Sequence, residues 1–177
     1  MSSGVRIRAL RGASEAELQG LADVLIDCVS GGASVSFMWP LARDRALAFW
    51  RSVVDGAARG ERVLLVAEDG SDIVGTVQLV LAQPDNQPHR ADLAKMLVHR
   101  RMRQRGIGEA LMHAAEAAAR EAGKTLLVLD TASAEAERLY ARTGWHKSGV
   151  IPDYALLPHG GLCDTVFYYR RLGADDA

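Results

Sequence analysis

Hydrophobic and polar residues alternate over residues 5–10, the period of a half-buried strand. At Leu18, Leu21, Val24 and Leu25 the apolar positions switch to helical spacing. Ser14 followed by Glu17 forms a capping box, so a helix is expected to open there and to stop at Gly31-Gly32. Pro40 is expected at or just before the first turn of a second helix, which carries Ala46, Phe49, Trp50 and Val53 on one face and ends near Gly60. Residues 31–39 between them read as a loop. Two β-rich runs at 62–68 and 72–83, joined by Asp69-Gly70-Ser71, predict an antiparallel hairpin. Past a polar loop at 84–88, a strand at 91–98 leads through an arginine-rich turn into a helix over 106–122, ended by Gly123. Residues 125–130 read as an apolar strand of the fully buried type. Ser133 then caps a helix that reaches Thr143 and stops at Gly144. Two last strand-like runs, 145–151 and 163–170, flank a connection containing Pro158 and Gly160-Gly161.

The strand, turn, helix, strand unit at 91–130 should close as a right-handed parallel crossover. The whole order predicts an α/β (α+β) fold, a mixed, mostly antiparallel sheet of about seven strands with helices on both faces. A chain of 177 residues suits one domain, and no repeat or linker divides it, so residues 1–173 read as a single domain and 174–177 as a polar tail.

Composition narrows the function classes. With 21 Lys plus Arg against 22 Asp plus Glu, generic attraction to nucleic acid or to an anionic membrane is not expected. No segment approaches the roughly 20 uncharged apolar residues of a membrane span, and the first residues carry no apolar signal core, so a cytoplasmic protein is expected. Cys28 and Cys163 lie far apart, outside zinc or disulfide spacing, and His89, His99, His113, His146 and His159 are dispersed; no metal is expected.

The most informative stretch runs from Lys95 to Met112. A strand delivers the chain into a helix N-terminus through a loop with Arg100, Arg101, Arg103, Arg105, Gly106 and Gly108. The first turn of a helix has unpaired N–H groups and partial positive charge, glycines let an anion approach the backbone, and Arg103 and Arg105 would add charge-assisted bonds. The bland reading is a solvated arginine loop. A dinucleotide fingerprint fails because Leu111 stands where its third glycine belongs, and a P-loop fails because Ala118 stands where its first glycine belongs.

Arg103-x-x-Gly106-x-Gly108 after an apolar strand resembles the acetyl-CoA pyrophosphate loop of the GNAT superfamily of N-acetyltransferases. Ala136-x-x-Leu139-Tyr140-x-x-x-Gly144-Trp145 resembles that family's second signature, with Trp in place of Phe. A narrower similarity, to tabtoxin-resistance acetyltransferases, rests on residues 30–38 (SGGASVSFM), an acidic residue opening the fourth strand and Leu129-Asp130-Thr131. Two positions depart from the family pattern. Ser133 replaces the usual Asn, keeping the cap but losing its amide contacts, and Gln104 replaces a common glycine, which the backbone-binding role tolerates if its φ stays negative.

The resemblance implies the GNAT fold and acetyl transfer from acetyl-CoA to a primary amine of a small, amino-acid-like molecule, by direct attack in a ternary complex. It places the cofactor on Met96, Leu97, Val98, Arg103, Gln104, Arg105, Gly106, Ile107, Gly108 and Ser133, with a backbone N–H of residues 96–98 meeting the oxygen of the attacked carbonyl. It places the Tyr140 phenol near the cofactor sulfur as general acid; its bland reading is a core aromatic. Asp92 and Asp130 are the candidate bases, and the choice between them stays open. Asp130 ends an apolar run, so it either binds a cation or caps the next turn. The acceptor is expected against Ser34, Phe37, Asp92, Asp130 and Tyr154, where two carboxylates would favour a cationic or zwitterionic amine. Toxin or antibiotic inactivation, a protein acceptor, a non-catalytic acetyl-CoA sensor and a homodimer formed through the last strands are further expectations.

Overall fold

The computed structural model describes residues 4–173. The expected tail at 174–177 lies outside the described residues. Over the described residues the order is β1 (Arg6–Leu10), α1 (Glu15–Ser30), α2 (Arg43–Ala58), β2 (Arg62–Asp69), β3 (Asp72–Val80), β4 (Arg90–Val98), a 3₁₀ turn (Arg100–Met102), α3 (Ile107–Glu121), β5 (Leu126–Thr131), α4 (Ala134–Arg142), β6 (His146–Leu156) and β7 (Leu162–Arg171). One seven-stranded sheet runs β1-β2-β3-β4-β5-β7-β6. Only β4 and β5 pair in parallel; every other neighbouring pair is antiparallel. The mixed α/β sheet is therefore as its hydrophobic pattern requires.

Local chemistry sets the helix ends. The Glu17 N–H donates to Ser14 Oγ at 3.3 Å and the Ser14 N–H donates to Glu17 Oε2 at 2.7 Å, closing the capping box. The second helix starts later than Pro40 suggested. The Trp39 N–H donates instead to the Pro158 carbonyl at 3.0 Å, so the chain around Pro40 belongs to a loop tied to the β6–β7 connection, and the helix begins after Ala42.

Two hydrophobic cores lie on opposite faces of the sheet. One packs α1 and α2, with Leu21, Leu25 and Trp50 fully buried, against β1–β4. The other packs α3, with Leu111, Met112 and Ala115, and part of α4 against the sheet's other face. Burying one such Leu or Met contributes about 1.5–3 kcal/mol. The α1–α2 core contains no residue of β5, β6 or β7, and this corrects the expectation of a fully buried β5. β5 alternates, with Leu127 and Leu129 buried under α3 while Leu126 and Val128 are half-buried, so it is covered on one face and not on both.

β4 contains the irregularity that matters. Its register to β3 slips between Leu97, opposite Thr76, and Ala94, opposite Gln78, so β4 holds one extra residue, a bulge at Lys95-Met96. An extra residue inverts the alternation of sides. Leu93 accordingly packs in the α3 core and Leu97, four residues on, in the α1–α2 core. On its other edge β4 pairs β5 only over Arg90, Ala91 and Asp92, opposite Leu126, Leu127 and Val128. Beyond Asp92 the two strands part, and the sheet opens.

Candidate functional site

The opening between β4 and β5 leads into a cleft of about 730 Å³. Its walls are the α1–α2 loop (Gly31 to Ser36), β4 from Leu93 to Val98, the turn from Met102 to Gln104 and the start of α3 from Gly106 to Glu109, the end of β5 from Leu129 to Ser133, and α4 residues including Arg138, Tyr140 and Arg142. Met96, Leu97, Val98, Arg103, Gln104, Gly106, Ile107, Gly108, Asp130, Ser133, Tyr140 and Ser34 thus share one cavity.

At the α3 end the backbone is shaped for an anion. Gln104 has φ 62° and Gly106 φ 77°. Residues of alternating handedness turn successive N–H groups toward one point, here at the N-terminus of a helix. Nothing lies within 4 Å of a Cβ built on Gly106, so only its φ demands glycine. Gly108 is different: a Cβ there would meet Met96 Cε and Leu139 Cδ2 at 3.2 Å, and it keeps this stretch of the cleft open. Gln104 departs from the expected negative φ, and the left-handed conformation it adopts costs a non-glycine residue about 1–2 kcal/mol.

The four arginines divide their labour. The Arg100 N–H and Nε donate to Asp27 at 2.8 and 3.0 Å, and Arg101 pairs with Asp72 at 3.1 Å, so both pin the turn to the body of the protein. Arg103 lines the cleft, where its Nε donates to the Val98 carbonyl at 3.2 Å and Cys28 Sγ stands 3.8 Å from its outer nitrogen. Burial pushes the Cys28 thiol up, and the Arg103 charge opposes that shift. Arg105 is exposed and not part of the cleft wall.

Tyr140 lies 4% exposed on α4, its ring 6.0 Å from that of Trp145 and 5.6 Å from that of Tyr168. Its hydroxyl makes no hydrogen bond to another described residue. Burial first, then the charge of Asp130 and the Tyr168 phenol, push its ionisation well above the ordinary tyrosine range, so the phenol holds its proton. Tyr168 is pushed up to about 12, by burial and by donating its own O–H to Glu137 Oε2 at 2.9 Å. Asp130 stands at the mouth of the β4–β5 opening, where its Oδ2 accepts from Thr165 Oγ1 at 2.8 Å. Ser133 caps α4, accepting from the Ala136 N–H at 3.2 Å.

Three expected acceptor residues are not brought to this cleft. Asp92 is the last residue of β4 paired with β5, bound by Arg90 and accepting from Gln83 Nε2 at 3.2 Å. Phe37 turns away to pack edge-on against Phe49, 5.2 Å between ring centres, beneath Arg45. Tyr154 is a residue of β6 and not of the hairpin connection; it is exposed and edge-on to Phe167. Conversely, Lys95 lines the cleft and no sequence signal singled it out, because its position depends on the bulge. Among the described residues no group of three or more His, Cys, Asp or Glu is placed to hold a metal ion, and no helix is long and apolar enough to cross a membrane.

Solved structures share this architecture. A ribosomal-protein-alanine N-acetyltransferase from Brucella melitensis superposes with a TM-score of 0.77 at 22% identity, covering 94% of this chain and 99% of that one. An N-acetyltransferase from Staphylococcus aureus gives 0.79 at 20% identity, covering 97% and 100%. A phosphinothricin acetyltransferase from Sinorhizobium meliloti, solved in complex with AcCoA, gives 0.78 at 18% identity, covering 96% and 89%. At these identities the likeness is one of fold. The model of the Acetyltransferase (GNAT) family matches residues 19–145, which takes in the α1–α2 loop, the opened β4, the anion-shaped turn and Tyr140, and by that match the chain belongs to the GNAT family of acetyltransferases.

Proposed function

We propose that this protein transfers an acetyl group from acetyl-CoA to the primary amine of a small, amino-acid-like molecule, by direct attack with both substrates bound. The observation that carries the reading is the parting of β4 from β5 after Asp92. It creates a single cleft with an anion-shaped turn at one end and Asp130 and Tyr140 along its wall. Acetyl-CoA fits the residues present. The α3 N-terminus, the left-handed Gln104 and Gly106 and the Arg103 guanidinium suit a pyrophosphate, and the missing Cβ of Gly108 leaves room beside β4. Bound there, acetyl-CoA would supply the acetyl thioester.

The chain's own residues then have distinct tasks. Asp130 receives a proton from the acceptor ammonium, the amine nitrogen bonds to the acetyl carbon, and a β4 backbone N–H past the bulge meets the carbonyl oxygen. The carbon–sulfur bond breaks, the Tyr140 O–H gives its proton to the leaving sulfur, and the second proton that the nitrogen sheds as the amide forms replaces it on the Tyr140 oxygen. Asp130 is preferred over Asp92 as base because Asp130 lines the cleft while Asp92 is occupied by Arg90 and Gln83.

A small acceptor is favoured over a protein by how the far end of the cleft is walled. Trp39 bonds Pro158, His159 Nε2 donates to the Ser30 carbonyl at 2.9 Å, and Cys163 Sγ lies 3.7 Å from Ser34 Oγ, so the α1–α2 loop is fastened to the β6–β7 hairpin. That loop carries the tabtoxin-resistance-like residues, which supports toxin or antibiotic inactivation as the physiological role. The reading includes a cytoplasmic setting. It also includes a homodimer through β6, an edge strand along which Val150, Ile151, Tyr154 and Leu156 are exposed.

The test is release of free CoA thiol from acetyl-CoA with a panel of small amines, amino alcohols and short peptides, with products identified by mass spectrometry. An N-acetylated small amine is the expected product. O-acetyl products, peptide-only turnover, or acetyl-CoA binding without turnover on any acceptor would overturn the reading.

A further inference from the structure

Lys95 lines the cleft and has no part in the acetyl transfer described above. It sits in the β4 bulge with φ 51°, a left-handed conformation that costs a non-glycine residue about 1–2 kcal/mol. Its half-buried side chain reaches toward the α1–α2 loop, where Nζ donates to Ser36 Oγ at 3.0 Å and lies 5.9 Å from the Phe49 ring centre. No carboxylate of the described residues lies within ion-pairing distance of it. An ammonium has three donors, and a single neutral hydroxyl leaves two of them for an anion. The pyrophosphate has its own site at Arg103 and the α3 N-terminus, so that anion is a different one.

Asp130 stands in the same cleft, and its charge acts on Lys95, opposing the downward push that burial gives the lysine pKa. The two groups are opposite in sign and do not neutralise each other by direct contact. That is the complement of a zwitterion.

We propose that Lys95, together with Ser36, binds a carboxylate carried by the acceptor, so that the acceptor is an amino acid held by its carboxylate at Lys95 and its amine at Asp130. This rests on the reading of the cleft as a small-amine N-acetylation site and adds the residue that selects among amines. An acceptor whose carboxylate is an amide or is missing forgoes the charge-assisted contact with the half-buried ammonium, so the site discriminates against it.

The experiment compares kcat/KM for a panel of L-amino acids with the matched amino-acid amides and decarboxylated amines, in wild type and in Lys95→Met. Wild type is expected to prefer the acid. In the variant, kcat/KM for the acid falls about 10- to 100-fold, the loss of a charge-assisted contact, chiefly through KM. Turnover of the amide changes less than about threefold, which also reports that the variant is folded. Wild-type turnover of amides or plain amines equal to that of the acids, or an acid preference that survives Lys95→Met, overturns the assignment while leaving N-acetyl transfer intact.

Failure of every amine would overturn the small-amine reading, and a second measurement then decides Lys95 by itself. The chain has three lysines, Lys95, Lys124 and Lys147, so labelling by trinitrobenzenesulfonate is read peptide by peptide. N-acetyl-L-amino acids are expected to protect Lys95 and the corresponding N-acetyl amides are not; equal protection, or none, overturns the carboxylate site.

Discussion

Tyr140→Phe separates a catalytic phenol from a core aromatic. The substitution removes one oxygen and keeps the ring between Trp145 and Tyr168. Because the hydroxyl has no hydrogen-bonding partner among the described residues, its loss leaves nothing unsatisfied. Stability is expected to change by no more than about 1 kcal/mol, a Tm shift within about 4 °C for a chain of this size. Acetyl-CoA affinity should stay within about threefold, since the groups that suit the pyrophosphate, Arg103 and the turn at Gln104 and Gly106, are unchanged. A general acid contributes roughly 10²- to 10⁴-fold, so kcat should fall at least about 100-fold with KM little changed. The pH dependence adds a second check. Folded Tyr140 ionises above the ordinary tyrosine range, so the acid is in place throughout the neutral range and the variant lowers the profile without altering its acidic limb. Stability carries the same sign. Above about pH 10 the unfolded chain's tyrosine loses its proton while the folded one keeps it, so the contribution is full below that pH and is lost as pH rises. Tyr140→Phe should therefore flatten alkaline destabilisation. Stopped-assay kcat values and denaturant melts from pH 7 to 11 read both effects. A variant keeping more than about a third of wild-type kcat would refute the acid assignment and leave Tyr140 a packing residue.

Three further outcomes are expected. Asp130→Asn should lower kcat about 100-fold or more, whereas Asp92→Asn should stay within about threefold of wild type and cost under about 1 kcal/mol of stability; reversed kinetics would return the base to Asp92. Gly106→Ala forces a Cβ into φ 77°, so a loss of about 1–2 kcal/mol in stability and at least about tenfold weaker acetyl-CoA binding by calorimetry are expected, and an unchanged affinity would remove the turn from the binding site. Glu68 is 7% exposed and held below the usual carboxylate range chiefly by its bond from Arg8, then by Arg6. Its stabilisation is present above about pH 4.5 and is lost as pH falls through the depressed folded value, so Glu68→Gln should reduce midpoint stability at pH 7 and make the acid limb of urea melts shallower.

Interactions that close within one turn of chain were legible at the start. The Ser14–Glu17 box, the Ser133 cap, the glycine-bearing turn into α3 and the Leu139-Tyr140 pair on α4 are all settled by neighbours a few residues apart. Such patterns carry the fold class with them, and the glycine-bearing turn from β4 into α3. Tertiary structure decided the rest, because each remaining question turns on a partner distant in the chain. Asp92 and Asp130 look alike as strand carboxylates; what separates them is that β4 pairs β5 through Asp92 and no further, leaving one carboxylate within the ladder and the other at the opening. Phe37, Tyr154 and Pro40 took places set by Phe49, Phe167 and Pro158. Lys95 became a cleft residue only because β3 and β4 slip by one position, and Gln104 took a left-handed φ that no side-chain pattern encodes. The hydrophobic sequence of this protein specifies which elements form and which faces are buried; the register between strands, a sum of many weak long-range contacts, specifies where the sheet opens and which charges face the opening.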